Sequence, residues 1–241
     1  MITVSTWTQQ KLLADNAFQC VGDLSSPKSL SDTDSDLINS LINVEFMSFC
    51  SSYGSILTFP SEQAGKPVQD VLTFDGFDGS SNYFSAKHPL SLHQDYYFQE
   101  LPPQFTIIWC LRNDEKAKTV VVDLLSCFER LDEGSQVELM KPEFSMADYG
   151  DGMTWSLYPV IDILAGSFRY DEDLIEPLSA STSEAFQKLV HLARASEVEL
   201  ILEPNDVLVI NNHRCAHGRR SYSPGQNDRR RWLKRCLVGV G

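Results

Sequence analysis

The sequence predicts a mainly β domain, a sandwich or barrel of antiparallel strands with helices packed on its outside. Three observations carry this. Short apolar runs rich in Val, Ile and aromatic residues recur along the chain with turn residues between them. Only two stretches have a convincing helical spacing of apolar residues. The strands do not alternate regularly with helices and no glycine-rich phosphate loop of standard spacing is present, so a parallel βαβ fold is the weaker alternative.

Taken in order, the Ser/Asp-rich stretch from Ser25 to Asp36 reads as a loop entering a helix from about Asp34 to Ser52. Leu37, Ile38, Leu41, Ile42, Phe46 and Phe49 mark its apolar face, and Gly54 ends it. Strands are expected over Ser55 to Phe59, Val68 to Phe74, Phe105 to Leu111, Thr119 to Val122 and Met153 to Val160. A second helix, about Ser181 to Ala195, turns Ala185, Phe186, Leu189, Val190 and Leu192 inward. Val198 to Glu203 then reads as a strand, Pro204-Asn205-Asp206 as a tight turn and Val207 to Ile210 as another strand. A last strand covers Trp232 to Val240.

A length of 241 residues without a linker suits one domain, residues 1–241, with a substantial core. The 33 acidic residues against 20 basic ones, a formal charge of −13, disfavour nucleic acid or an anionic membrane as the main partner. The N-terminus has no basic region followed by an apolar stretch, and no window has the apolar length of a membrane span. Cys20, Cys50, Cys110, Cys127, Cys215 and Cys236 are scattered without a Cys-x-x-Cys pair and several lie in apolar runs, as buried reduced thiols do. A cytoplasmic location is the expectation.

The chain holds five histidines: His88, His93, His191, His213 and His217. Only His93 has a carboxylate two residues on, in Leu92-His93-Gln94-Asp95-Tyr96. Alone this spacing is weak, because so acidic a chain often places one there by chance. Near a strand end, however, a neutral imidazole and a carboxylate two apart can turn to one metal. A third ligand is offered by His217, which follows a strongly predicted strand, expected in an antiparallel sandwich to lie beside the one bearing His93. Two histidines and one carboxylate on one face of a metal leave open positions, as non-haem iron oxygenases require. His213 and His217 also have the spacing of a helical metal pair, but their context is strand-like and His-Glu-x-x-His is absent, so His213 is expected to pack or hydrogen-bond.

Arg231 stands fourteen residues beyond His217, in Arg229-Arg230-Arg231-Trp232-Leu233-Lys234-Arg235. Strand alternation sends Arg231, Leu233 and Arg235 to one face. A basic run is ordinarily a solvated edge, but an arginine inside a barrel needs an anion, and a dicarboxylate would supply one through two parallel hydrogen bonds.

Assembled in order, these segments resemble the clavaminate synthase-like and taurine dioxygenase-like oxygenases, over a core of about residues 46–241. The resemblance rests on Gly65-Lys66-Pro67-Val68-Gln69-Asp70-Val71, on His88-Pro89-Leu90-Ser91-Leu92-His93-Gln94-Asp95, on Leu101-Pro102-Pro103 and Cys110-Leu111-Arg112, on His217-Gly218-Arg219 and on Arg231-Trp232-Leu233-Lys234-Arg235. It implies a double-stranded β-helix, or jelly roll, with outer helices. It also implies Fe(II) on His93, Asp95 and His217 as the metal and catalytic set, with 2-oxoglutarate and O2 as co-substrates. Arg231 and Thr119 would hold the far carboxylate of 2-oxoglutarate. The implied reaction is hydroxylation of an unactivated C–H bond of a small substrate, an amino acid or amino-acid-derived metabolite, free or carrier-bound. Arg235 would meet a substrate carboxylate or else form a salt bridge within the strand. Asp171 and Asp173, in Arg169-Tyr170-Asp171-Glu172-Asp173, resemble a lid that receives cationic side chains, and Tyr96 would wall the pocket.

Two departures stand out. The acidic ligand is Asp where the clavaminate synthase group usually has Glu, and the chain is short for the family. An acid where related halogenases carry a small residue favours hydroxylation over halogenation. Desaturation, epoxidation and cyclisation share the same chemistry and stay open as alternatives, as do a zinc hydrolase on the same three ligands and a non-catalytic ligand-binding sandwich.

Overall fold

The computed structural model describes residues 2–6, 32–60, 63–72, 86–114, 117–148, 154–223 and 231–239. The elements run β1 (Ile2–Thr6), α1 (Asp32–Cys50), β2 (Ser55–Leu57), β3 (Gln69–Leu72), β4 (Leu90–His93), β5 (Phe105–Arg112) and β6 (Thr119–Asp123). They continue with α2 (Leu124–Phe128), α3 (Glu133–Leu139), β7 (Phe144–Asp148), β8 (Thr154–Tyr158), β9 (Ile161–Asp162), β10 (Ser167–Phe168), β11 (Ile175–Pro177) and α4 (Ala180–Ala195). The chain closes with β12 (Val198–Leu200), β13 (Asp206–Asn211), β14 (Cys215–Arg219) and β15 (Trp232–Gly239).

Two antiparallel sheets face each other in a double-stranded β-helix. The larger runs β1-β13-β5-β15-β2, with β3 also on β15, and the smaller runs β12-β6-β14-β4. Small sheets β11-β7-β8 and β9-β10 complete the strands among the described residues. The period of two in β5 decides the layering. Ile107, Trp109 and Leu111 face outward onto Ile42, Phe46 and Cys50 of α1, whereas Ile108 and Cys110 face inward onto Val121, Leu208 and Leu233. Phe46 and Trp109 are essentially unexposed with ring centroids 5.6 Å apart, so Phe46→Ala would cost roughly 3–5 kcal/mol. Lys234, fully buried on the outer face, donates to Asn39 (2.5 Å) and to Asp70 (2.6 Å), which ties α1 to the sheet without an unpaired charge. Behind the smaller sheet, α4 lays Ala185, Phe186 and Leu189 against Val120, Val122 and Ala216. Its N-terminus is closed by a capping box between Ser179 and Thr182.

The expected helices and strands are present, and the differences have physical causes. β12 and β13 do not form a hairpin. The corner at Asn205 (φ 86°), whose amide donates to Cys110 O at 2.8 Å, carries the chain from the smaller sheet to the larger. The apolar pattern of the two runs is that of strands but does not say which sheet each joins. Seven strands escaped the pattern, β1, β4, β7, β9, β10, β11 and β14, and so did the short helices α2 and α3. Cys215-Ala216-His217-Gly218-Arg219 has little strand propensity and is extended because it is held between β6 and β4. It is therefore β14, not β13, that lies beside the strand carrying His93. The predicted loop before Asp32, the strand ends at Thr73, Phe74, Met153 and Val240, and Cys20 lie outside the described residues. The other five cysteines are free and buried. No helix among the described residues is long and apolar enough to cross a membrane.

Candidate metal centre

β4 and β14 pair antiparallel with His217 directly opposite His93. The two rings stand 4.5 Å apart by centroid and tilt 43°. Asp95 follows His93 as the chain leaves β4. A ligand atom from each of His93, Asp95 and His217 lies within 4.8 Å of the other two, and all three residues are buried. The approach of the strands depends on Gly218, where a Cβ would stand 2.5 Å from Leu90 O and 3.0 Å from Ser91 O. The ladder bulges between His217 and Arg219 at this point.

Each of the three is held in a state able to bind a cation. His93 Nδ1 is 2.9 Å from Ser91 O, and as the donor of that bond it leaves the lone pair of Nε2 for a metal. Burial first, and then His93, push the His217 pKa down to about 3 against the pull of Asp95, so its imidazole is neutral. His217 Nε2 is 3.6 Å from Asp95 Oδ2, and its buried Nδ1 has no hydrogen-bond partner. Burial would raise the Asp95 pKa, but Arg235 foremost, with the two histidines and Thr106, holds it at about 2. The carboxylate is divided between two partners: Oδ1 accepts from Arg235 Nη1 (2.6 Å) and Oδ2 from Thr106 Oγ1 (2.7 Å). Two imidazoles and one carboxylate, converging in a buried space, form a donor set suited to a divalent transition metal.

The second expected group lies two residues along the ladder. His217 pairs with Val121 and Arg219 with Thr119, so Thr119 shares the inward face about 7 Å from the His217 level. Arg231 Nη2 donates to Thr119 Oγ1 at 2.8 Å. Arg231 is 5% exposed, its Nε has no hydrogen-bond partner, and it forms no ion pair with a described carboxylate. Burial, and then the nearby Arg219, lower its pKa to about 10. A buried cation with spare donors is costly unless an anion completes it.

The expected substrate residues are placed as follows. Arg235 bonds Asp95 and Gln69 Oε1 (2.8 Å), so its ion pair is with the metal-site carboxylate rather than inside its own strand. Asp171 is buried and bridges His93 through the backbone, while its Oδ1 accepts from the amides of Asp173 and Leu174. Asp173 is exposed. Tyr96 adopts φ 53° and stacks on Phe59 with centroids 3.6 Å apart. His213 Nε2 is 3.1 Å from Pro102 O, outside the metal cluster. Sequence reasoning missed Thr106 and Asn212, which bond Asp95 from 11 and 117 residues away. No local pattern marks such a long-range pairing.

Residues 163–237 match the model of the family described as Taurine catabolism dioxygenase TauD, TfdA family. Among curated proteins the chain is 26% identical over 197 residues to the L-lysine 3-hydroxylase of Catenulispora acidiphila, covering 77% of this chain and 55% of that one. It is 28% identical over 193 residues to the L-asparagine oxygenase of Streptomyces coelicolor, covering 75% and 56%. To clavaminate synthase 2 of Streptomyces clavuligerus it is 26% identical over 193 residues, covering 73% and 57%. The chain thus spans little more than half the length of these relatives. Among solved structures, asparagine oxygenase in complex with Fe(II), 2S,3S-3-hydroxyasparagine and succinate superposes with a TM-score of 0.75 at 24% identity, covering 84% of this chain and 65% of that one. The non-heme iron oxygenase OrfP in complex with Fe and alpha-ketoglutaric acid does so with 0.73 at 23% identity, covering 85% and 66%. The chain is thus similar in sequence to clavaminate synthase and to amino-acid oxygenases, matches the TauD, TfdA family model over residues 163–237, and shares the jelly-roll fold of the solved oxygenase structures.

Proposed function

We propose that this chain is an Fe(II)- and 2-oxoglutarate-dependent oxygenase that hydroxylates an unactivated C–H bond of a small substrate, an amino acid or an amino-acid-derived metabolite. The observation that carries this reading is the pairing of a buried His93/Asp95/His217 set with the Arg231 guanidinium, which has no carboxylate partner among the described residues, on the same inward face. A zinc hydrolase has use for the first group and none for the second.

His93, Asp95 and His217 would hold the iron, which supplies the site for O2 and for oxidative decarboxylation of 2-oxoglutarate to succinate, the source of the oxidising power. The protein's own part is positioning and exclusion of water. Arg231 and Thr119 bind the far carboxylate of the co-substrate and fix its distance from the triad. Thr106 and Arg235 hold the Asp95 carboxylate in one orientation. Arg235 and the acidic Asp171 and Asp173 supply charges of both signs at the pocket, as a zwitterionic amino acid requires, with Tyr96 as its wall. A free substrate is favoured by the names of the relatives, which are hydroxylases of lysine, ornithine and arginine, and an oxygenase of asparagine.

An anaerobic titration of the metal-free protein with Fe(II) and then 2-oxoglutarate tests the reading. Wild type is expected to develop the weak visible charge-transfer band of an iron-chelated keto acid. Asp95→Ala should lose the band and Arg231→Ala should need far more 2-oxoglutarate to form it. A wild-type protein that takes up Fe(II) without the band, or takes up none, would overturn the proposal.

A further inference from the structure

The turn that follows the metal carboxylate is wrapped around a buried cation. Arg169 is 6% exposed and forms no ion pair with a described carboxylate. Its guanidinium is instead spent on backbone: Nη1 donates to Tyr97 O and Gln99 O, both at 2.5 Å, and Nη2 to Glu100 O at 3.1 Å. The Tyr158 ring lies against its face, 4.0 Å from centroid to Cζ. All three carbonyls belong to residues 97–100, immediately after Asp95.

That turn is not one the chain adopts freely. Tyr96, its first residue, sits in the left-handed region at φ 53°, a conformation that is costly for a non-glycine residue and persists only where its surroundings impose it. Three carbonyls pointing at one spot repel each other unless a donor-rich cation fills it, and a planar guanidinium with five N–H groups suits that task. The backbone beside Arg169 secures the other side of the motif, since Tyr170 O accepts from Gln94 N at 2.8 Å and Asp171 bridges His93.

We propose that Arg169 is a positioning residue for Asp95 and Tyr96. By templating the 97–100 turn it fixes where the metal carboxylate leaves β4 and where the ring of Tyr96 stands. The metal and substrate consequences rest on the oxygenase reading above; the ordering of the turn by Arg169 does not.

The test compares wild type with Arg169→Ala and Arg169→Lys, each checked for folding by circular dichroism. Amide hydrogen exchange over residues 96–100 is read in the metal-free proteins, and Co(II) affinity, substrate KM and kcat are read in the loaded ones. In Arg169→Ala, exchange of the turn should accelerate about tenfold or more, Co(II) should bind about 10- to 100-fold more weakly, and KM should rise by a larger factor than kcat falls. Low-millimolar guanidinium should reverse part of each effect, because the vacated pocket keeps its three acceptors. Arg169→Lys, one point donor in place of a fork, should fall between. A folded Arg169→Ala or Arg169→Lys protein with wild-type exchange at 96–100 overturns the inference, and so does wild-type Co(II) affinity together with wild-type KM. If Arg169→Ala does not fold, the lysine variant decides by the same exchange criterion. Should wild type bind no Co(II), the oxygenase reading fails by itself and exchange still decides the role of Arg169.

Discussion

Asn212 clamps the peptide of Asp95 from both sides: its Oδ1 accepts from the Asp95 amide at 2.9 Å, and its Nδ2 donates to the Asp95 carbonyl at 2.9 Å and to Pro103 O at 3.0 Å. Asn212 sits in the turn between β13 and β14, five residues before His217. One buried amide therefore joins the chain segment carrying the carboxylate to the segment leading to the second histidine.

Removing that clamp leaves backbone groups of Asp95 and Pro103 buried without partners. Asn212→Ala is expected to lose about 2–3 kcal/mol of stability and to weaken Co(II) or Fe(II) binding roughly 10- to 100-fold. Urea melts and a metal titration check this. Asn212→Asp, which keeps the shape but not the Nδ2 donors and adds charge beside Asp95, should bind metal no better than the alanine variant. Wild-type metal affinity in either would show that the clamp is structural only.

Arg231 should separate stability from co-substrate binding. A buried guanidinium without an acid is destabilising, so Arg231→Met is expected to melt at or above wild type when no ligand is present. The same variant should require roughly 10- to 100-fold more 2-oxoglutarate, the loss of about 1.5–3 kcal/mol of charge-assisted hydrogen bonding. Melting curves with and without 2-oxoglutarate test both halves at once, since only wild type should be stabilised by it. A variant that is less stable alone and equally stabilised by 2-oxoglutarate would contradict the assignment.

At Gly218 even one methyl group meets backbone. With a Cβ 2.5 Å from Leu90 O, Gly218→Ala must push β4 from β14 and so part His93 from His217. The expected cost is about 2 kcal/mol, a fall in Tm of roughly 4–8 °C for a chain this long, together with weakened metal binding. Thermal denaturation and metal titration read the two effects. Retained affinity in a destabilised variant would mean the two histidines do not depend on this contact.

Asp123 supplies a pH dependence of defined sign. Burial opposes its ionisation, but the Arg214 guanidinium (2.8 Å from Nε to Oδ1) and Ser126 hold its pKa below the usual carboxylate range. A depressed folded-state pKa stabilises above the unfolded value, near 4, and that contribution is lost as pH falls through the folded value. Asp123→Asn should therefore be less stable at pH 7 while losing less on acidification below about pH 4, measured by urea unfolding from neutral pH downward. An unchanged acid limb would show that the Asp123–Arg214 pair adds nothing there.

Periodicity and local chemistry account for what could be read along the chain. The spacing of Ile42, Phe46 and Phe49 marks the face of α1, the apolar run Phe105 to Leu111 marks β5, and the chemistry of Pro204-Asn205-Asp206 marks a turn. These patterns act within a few residues, and one chain displays them. His93 and Asp95 were legible for the same reason, being neighbours on a short motif. Arg231 was legible because an arginine opening an apolar strand raises the question of its anion.

Which strands meet was settled by the folded domain as a whole. β12 and β13 look like a hairpin and belong to different sheets, and β14 is a strand because β4 and β6 bond it from both sides. The pairing of His217 with His93, the closeness that Gly218 allows, and the hold of Thr106, Asn212 and Arg169 on the Asp95 segment all join residues far apart in the chain. Backbone hydrogen bonding is blind to side-chain identity, so strand partners are chosen by the packing of both sheet faces over the whole core. No window of sequence contains that sum.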